Sequence, residues 1–139
     1  MSKLLERLAK TKIYLTAQKG FSLLELLLYA SIVGVLLSFA VPKFTGALTT
    51  ANTVKVQADL EAIDTAITIY YVENGSYPSS VSDLKDYLKD IDSVKPPTGK
   101  VNVGSVVEIK STSYEISLID GEARATLDGR TAADYGKKD

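Results

Sequence analysis

The chain has 139 residues, with 45% apolar and 24% charged residues and a formal net charge of −1. That is enough for one modest folded domain, and it excludes both a disordered tail and a basic nucleic-acid binder. With no histidine and no cysteine, there is no Ser-His-Asp triad, no cysteine nucleophile, no Cys/His zinc site and no disulfide.

Charge is divided unevenly along the chain. Residues 1–20 carry Lys3, Arg7, Lys10, Lys12 and Lys19 against Glu6 alone, while the remaining 119 residues carry eleven basic and sixteen acidic groups. An apolar block follows the basic stretch. Phe21 to Val41 is a run of 21 residues, about 31 Å as a helix and long enough to cross the hydrocarbon core of a bilayer. Basic residues ahead of such a run orient it with the basic end inside. The run is too long for a cleavable signal core, and no small-x-small cleavage site follows it. Pro42 closes it.

Glu25 is the only charge within the run. A carboxylate in apolar surroundings is costly, and where it is kept it has a partner. It lies close enough to the start of the run to snorkel to headgroups, but Leu23, Leu24, Leu26, Leu27 and Leu28 around it argue for a specific contact. Ala30, Gly34 and Ser38 fall at i, i+4 and i+8, a small-residue stripe of the kind that lets helices approach closely; a chance spacing gives the same pattern.

The segment Lys19-Gly20 followed by Phe21-Ser22-Leu23-Leu24-Glu25-Leu26-Leu27 resembles the class III signal of type IV pilins and pseudopilins. The resemblance is close over residues 17–44 and architectural beyond. It implies cleavage between Gly20 and Phe21 by a membrane prepilin peptidase that also methylates the new Phe21 amine. It implies an assembly role for Glu25, and for Gly34 and Pro42 as helix-loosening positions. It implies a homopolymer with itself and related pilins, an assembly ATPase and a platform membrane protein as partners, with no direct nucleic-acid binding. The implied localisation is a single pass of the inner or cytoplasmic membrane, then a filament at the surface or in the envelope. Pilus and competence or type II secretion pseudopilus stay open, as does major or minor subunit. The implied cut after Gly20 would leave a free amine on Phe21 at a helix N-terminus, which needs an anion nearby, and Glu25 of a neighbouring chain can supply one.

Past Pro42, Val56, Leu60, Ile63, Ile67 and Tyr70 recur at steps of four and three, with Asp59, Glu61 and Asp64 off the stripe. One helix from Phe21 to Glu73, 53 residues and about 80 Å, is predicted, stopped by Asn74-Gly75. Gly75-Ser76-Tyr77-Pro78 resembles a recurrent feature after the long helix of pilins. Ser80-x-x-Asp83 reads as a capping box opening a short helix to about Asp90, with Val81, Leu84, Leu88 and Ile91 inward. Lys95-Pro96-Pro97-Thr98-Gly99 reads as a linker. Alternation over Val101–Ile109, Tyr114–Leu118 and Ala123–Leu127, with Asp120-Gly121 as a hairpin turn, predicts three antiparallel strands covered by the helix stripe. Residues 128–139 read as a loose polar tail.

The expected fold is therefore α+β and pilin-like, a long N-terminal helix on a small antiparallel sheet of about three strands. The expected organisation is a leader over 1–20 that is removed, a transmembrane and filament-core helix over 21–42, and a globular head over 43–139. Asp120, Glu122, Asp128 and Asp134 are weighed as calcium ligands, because major pseudopilins of type II secretion often hold calcium in a C-terminal loop; their spacing fits turn and solvated roles better. Tyr70, Tyr71, Tyr77 and Tyr87 are read as packing residues rather than nucleobase platforms. No catalytic constellation, metal or cofactor is expected. The alternative to a filament subunit is a membrane-anchored surface binding module that never polymerises, which would need neither Glu25 nor the Gly20-Phe21 junction.

Overall fold

The computed structural model describes residues 1–7 and 20–137. Lys10, Lys12 and Lys19 of the basic stretch lie outside the described residues. The chain divides into two compact units, Met1–Val41 and Pro42–Asp139.

In the first unit residues 2–7 are helical. Helix α1, Leu23–Asn74, begins here and has 52 residues, starting two residues later and ending one later than the sequence pattern predicts. Ser22 precedes it. The Ser22 Oγ accepts a hydrogen bond from the Leu24 N–H at 3.3 Å, and the Glu25 Oε2 accepts one from the Ser22 N–H at 3.0 Å. This reciprocal arrangement satisfies two N–H groups that the first turn leaves without intrahelical partners. Further along, the Ser31 hydroxyl donates to the Leu27 carbonyl at 2.7 Å and the Ser38 hydroxyl to the Val35 carbonyl at 2.6 Å. Their polar groups are thereby spent inside the helix, and the outward surface of the segment is apolar.

In the second unit α1 supplies one wall of the core. Val56, Leu60, Ile63, Ala66 and Ile67 are buried, and they meet Leu84, Val101, Tyr114, Ala123, Ala125, Leu127 and Tyr135. Four of the five predicted stripe residues are thus central; Tyr70 is half-buried, edge-on to Tyr87 with ring centroids 5.6 Å apart. Polar residues flanking the stripe fasten α1 to the rest of the unit. The Asn52 side-chain amide donates to the Thr98 and Lys100 carbonyls, each at 3.2 Å. The Thr53 hydroxyl, nearly fully buried, donates to the Thr49 carbonyl at 2.7 Å and accepts from the Asn102 N–H at 2.9 Å.

Gly75, in the left-handed region at φ 70°, ends the helix, and its N–H returns to the Tyr71 carbonyl at 2.8 Å. The predicted short helix over 80–90 is instead a single 3-10 turn, Val81–Leu84, followed by turns and a second 3-10 segment, Ile91–Ser93. Its start matches the expectation: the Asp83 Oδ2 accepts from the Ser79 and Ser80 N–H groups, both at 3.0 Å. The stretch is too short to sustain an α-helix, and Asp90 at φ 56° turns the chain away. Packing decides the outcome here: Leu84 is fully buried, and Val81, Leu88 and Ile91 lie against the core.

Strands β1, Lys100–Asn102, and β2, Val106–Glu108, pair antiparallel with Val101 opposite Val107. Strands β3, Glu115–Ile119, and β4, Glu122–Thr126, pair with Ser117 opposite Arg124. These form two separate two-stranded sheets. The first predicted strand, 101–109, is therefore a hairpin. Gly104 at φ 91° makes its turn, and the Asn102 Oδ1 accepts the Gly104 N–H at 3.0 Å. The turn inserts an odd number of residues, so the alternation of valines continues across it and conceals the break.

The segment after β4 is not loose as expected. Leu127 and Arg130 bridge across Asp128-Gly129, whose φ values are 51° and 74°. Ala132–Asp134 is a 3-10 turn, with the Thr131 N–H donating to the Asp134 Oδ2 at 3.0 Å. Tyr135 is 3% exposed and its hydroxyl donates to the Leu127 carbonyl at 2.9 Å. The Gln57 amide donates to the Tyr135 carbonyl at 2.8 Å, and the Gly136 N–H donates to the Asn102 carbonyl at 2.8 Å. A polar composition had concealed one large core side chain.

Candidate functional site

The site built around Gly20, Phe21 and Glu25 lies at the start of α1. Gly20 is exposed, and a Cβ placed on it meets nothing within 4 Å. Phe21 is exposed, its ring edge-on to Tyr29 with centroids 6.1 Å apart. Glu25, third residue of the helix, bends back so that its carboxylate accepts the N–H of Ser22, the residue after Phe21. The structure thus brings Glu25 to the helix N-terminus beside the predicted cleavage junction. Carboxylate and positive helix end attract each other there.

Gly34 and Pro42 lie nine and seventeen residues beyond Glu25 in the same helix and do not join that cluster. Gly34 has open space where a Cβ would be. Pro42 is inside α1, which stays helical through both residues. Around Glu25 the leucines from Leu23 to Leu28 are all more than half exposed, as are the large apolar side chains on to Val41. The most apolar 18-residue window of α1 has a mean hydropathy of 2.2 and no buried share. Such a surface is stable only when lipid or other protein covers it.

Sequence reasoning missed Ser22. The signal was present: Ser22-Leu23-Leu24-Glu25 is a Ser-x-x-Glu pattern before an apolar run, the same kind of signal that was read at Ser80.

The acidic residues weighed as calcium ligands have separate local roles. Asp120 sits at φ 53° in the β3–β4 turn. Glu122 lies 3.8 Å from the Arg124 guanidinium. Asp128 accepts from the Lys110 N–H, the Ser111 N–H and the Ser111 hydroxyl at 2.9, 2.9 and 2.6 Å. Burial pushes the Asp128 carboxyl up, but these hydrogen bonds and the nearby Arg130 outweigh it and hold the group below its ordinary value. Asp134 is held low first by its hydrogen bond from Lys137 and then by the Thr131 N–H. Among the described residues no group of three or more Asp, Glu, His or Cys side chains is placed to hold a metal ion.

The tyrosines pack on one another. Tyr71 and Tyr77 stack at 4.5 Å with 23° between the rings. The Tyr87 hydroxyl donates to the Glu73 carboxylate at 2.7 Å, which pushes the phenol above its ordinary value. A cavity of about 340 Å³ beside the Tyr71–Tyr77 stack is lined also by Asp64, Glu122 and Arg124.

The family model described as the prokaryotic N-terminal methylation motif matches residues 15–41. The type II secretion system core protein G of Klebsiella pneumoniae is 38% identical over 68 residues, 49% of this chain and 49% of the relative. Its counterpart in Escherichia coli strain K12 is 33% identical over 72 residues, 52% and 50% of the two chains. The chain spans about half the length of these secretion relatives. A fimbrial protein of Neisseria meningitidis is 30% identical over 124 residues, covering 78% of this chain and 72% of the relative. No solved structure matches at a significant level. With a fimbrial relative matched over most of both chains, a methylation motif across the start of the apolar run and a long helix packed on small antiparallel sheets, the chain belongs to the type IV pilin and pseudopilin family.

Proposed function

We propose that the protein is a structural, non-enzymatic subunit of a type IV filament, either a pilus or a secretion or competence pseudopilus. In this reading residues 1–20 are a leader removed by a prepilin peptidase, and the Phe21 amine is methylated. Residues 21–42 anchor the stored subunit in the inner or cytoplasmic membrane and later pack in the filament core. Residues 43–139 form the head. An assembly ATPase and a platform membrane protein drive polymerisation.

The observation that carries the reading is the position of Glu25. It is one turn into a helix whose apolar surface is uncovered, and its carboxylate lies at the helix N-terminus next to Phe21. In the stored subunit Glu25 caps its own helix. In the filament it turns to the Phe21 amine of an adjacent subunit, and the uncovered leucines are buried between chains. Pairing the two charges in low dielectric makes the contact selective for cleaved chains, because an uncut leader leaves no amine to pair.

The test is filament yield at equal precursor level. Removing one partner of a buried pair costs about 3–5 kcal/mol, so Glu25→Val is cleaved and stays in the membrane but does not assemble alone. Glu25→Gln keeps the shape and a hydrogen-bond acceptor and loses the charge, and it assembles nearly as poorly. Wild-type yield from Glu25→Gln would assign the residue to hydrogen bonding rather than charge. Wild-type yield from both would remove the basis of the reading.

A further inference from the structure

The N-terminal segment has a feature that its charge alone does not explain. Residues 2–7 are helical, and Leu4 and Leu5 are 69% and 65% exposed. At 100° per residue, Met1, Leu4 and Leu5 fall within an arc of about 100°, and Lys3, Glu6 and Arg7 fall within an equal arc on the opposite side. Residues 1–7 are therefore patterned as an amphipathic helix with cations on its polar face. A signal that only oriented the span would need the cations and not the leucines.

We propose that in the uncleaved chain this segment docks on an anionic bilayer surface, with Leu4 and Leu5 immersed at the headgroup–acyl boundary and Lys3 and Arg7 against the lipid phosphates. The proposal rests on the reading of residues 21–41 as a membrane span. Two observations favour lipid as the occupant. Residues 1–20 hold five cations against one anion, which matches a negative surface. The segment is also tethered to the span: thirteen residues separate Arg7 from Phe21 in sequence, at most about 50 Å of extended chain. A few exposed leucines bind a bilayer only marginally by themselves, but a tether this short supplies a high effective concentration and makes weak contact sufficient. Docked in this way, the leader holds the Gly20-Phe21 bond at headgroup depth.

The chain has no tryptophan, so one introduced indole reports its own surroundings. Leu5→Trp, Glu6→Trp and Ile32→Trp are each made in the full uncleaved chain and reconstituted in vesicles of phosphatidylcholine alone or with phosphatidylglycerol, with brominated acyl chains as quencher. The expected result is quenching of Ile32→Trp in both vesicles, quenching and a blue shift of Leu5→Trp in the anionic vesicles, and an unquenched Glu6→Trp. Adding Lys3→Gln and Arg7→Gln to Leu5→Trp lowers the ratio of docked to free leader by about thirtyfold. Leu5→Trp and Glu6→Trp behaving alike, or Leu5→Trp unquenched while Ile32→Trp is quenched, overturns the docking proposal and leaves the span intact. Equal quenching of Leu5→Trp in both vesicles overturns the anionic part. A shift of Leu5→Trp seen only when soluble cell extract is added makes the occupant a protein and overturns the proposal. An unquenched Ile32→Trp overturns the span itself.

Discussion

The Asp64 Oδ1 accepts a 2.7 Å hydrogen bond from the backbone N–H of Ala125, joining the C-terminal part of α1 to strand β4. The second oxygen faces the Arg124 guanidinium at 3.4 Å. The N–H is part-buried, so removing its acceptor leaves a donor without a partner. Asp64→Ala is expected to destabilise the head by about 1–3 kcal/mol, read as a lower urea midpoint at unchanged slope. The half-exposed Arg124 contributes little to that loss. Asp64→Asn keeps an acceptor and should recover most of it; a midpoint as low as that of Asp64→Ala would show that charge and not the hydrogen bond holds the strand.

Tyr135 predicts an alkaline limb. Burial, and next the negative charge of Asp128, push its phenol from 10.0 up to about 12. The folded state therefore keeps the neutral phenol where the unfolded chain would ionise. The associated stability is complete below pH 10 and is lost as pH rises to about 12. Tyr135→Phe lowers stability at neutral pH by about 1 kcal/mol through the lost bond to Leu127, and it flattens the fall between those pH values. Tyr114, pushed up by burial and by its hydrogen bond to Asp59 at 2.7 Å, supplies the remaining slope. An unchanged limb in Tyr135→Phe would rule out its role.

Asp128 predicts the acid limb. Its folded-state value lies below the ordinary 3.8, so its stabilising effect is present above pH 3.8 and is lost as pH falls through the lower folded value. Asp134 acts in the same direction. Asp128→Asn tolerates the positive φ at this position and should make thermal midpoints less sensitive to acid, at the cost of lower stability at pH 7. Equal acid sensitivity in variant and parent would show that other carboxylates set the limb.

Processing supplies a prediction at the other end of the chain. If the Gly20-Phe21 bond is cut, the mature chain begins at Phe21 and has 119 residues. Gly20→Arg should leave the longer precursor in the membrane fraction and none in sheared filaments. Mass spectrometry of filament protein decides the matter; an intact Met1 there would contradict the proposed junction.

Periodicity and punctuation made the large features legible. Regular apolar spacing placed Val56, Leu60, Ile63 and Ile67 in the core, and Asn74-Gly75 marked the helix end within one residue. Asp120-Gly121 located the β3–β4 turn. The same kind of dipeptide, Asp128-Gly129, carries no such mark because no apolar run follows it, and Tyr135 is hidden with it. The β1–β2 turn was hidden for another reason: alternation reports which side a residue faces, and a hairpin can preserve that parity. Asp59 and Asp64 lie off the apolar stripe as expected, but a stripe cannot say that Tyr114 and Ala125 will come to meet them. Those partners are fixed by tertiary packing. At the candidate site, the single charge in an apolar run singled out Glu25, whereas its intrachain partner Ser22 required the capping pattern as well.

The docking of Tyr135 has a consequence for the order of events during synthesis. Gln57 on α1 is bonded to a carbonyl 78 residues downstream. At ordinary ribosomal rates that separation amounts to about 4–16 s. During that interval the stripe from Val56 to Ile67 has been made and the side chain that completes its cover has not. The nascent head therefore passes through a window in which its stickiest surface is open, and slowing elongation between codons 67 and 135 should increase its capture by holdase chaperones.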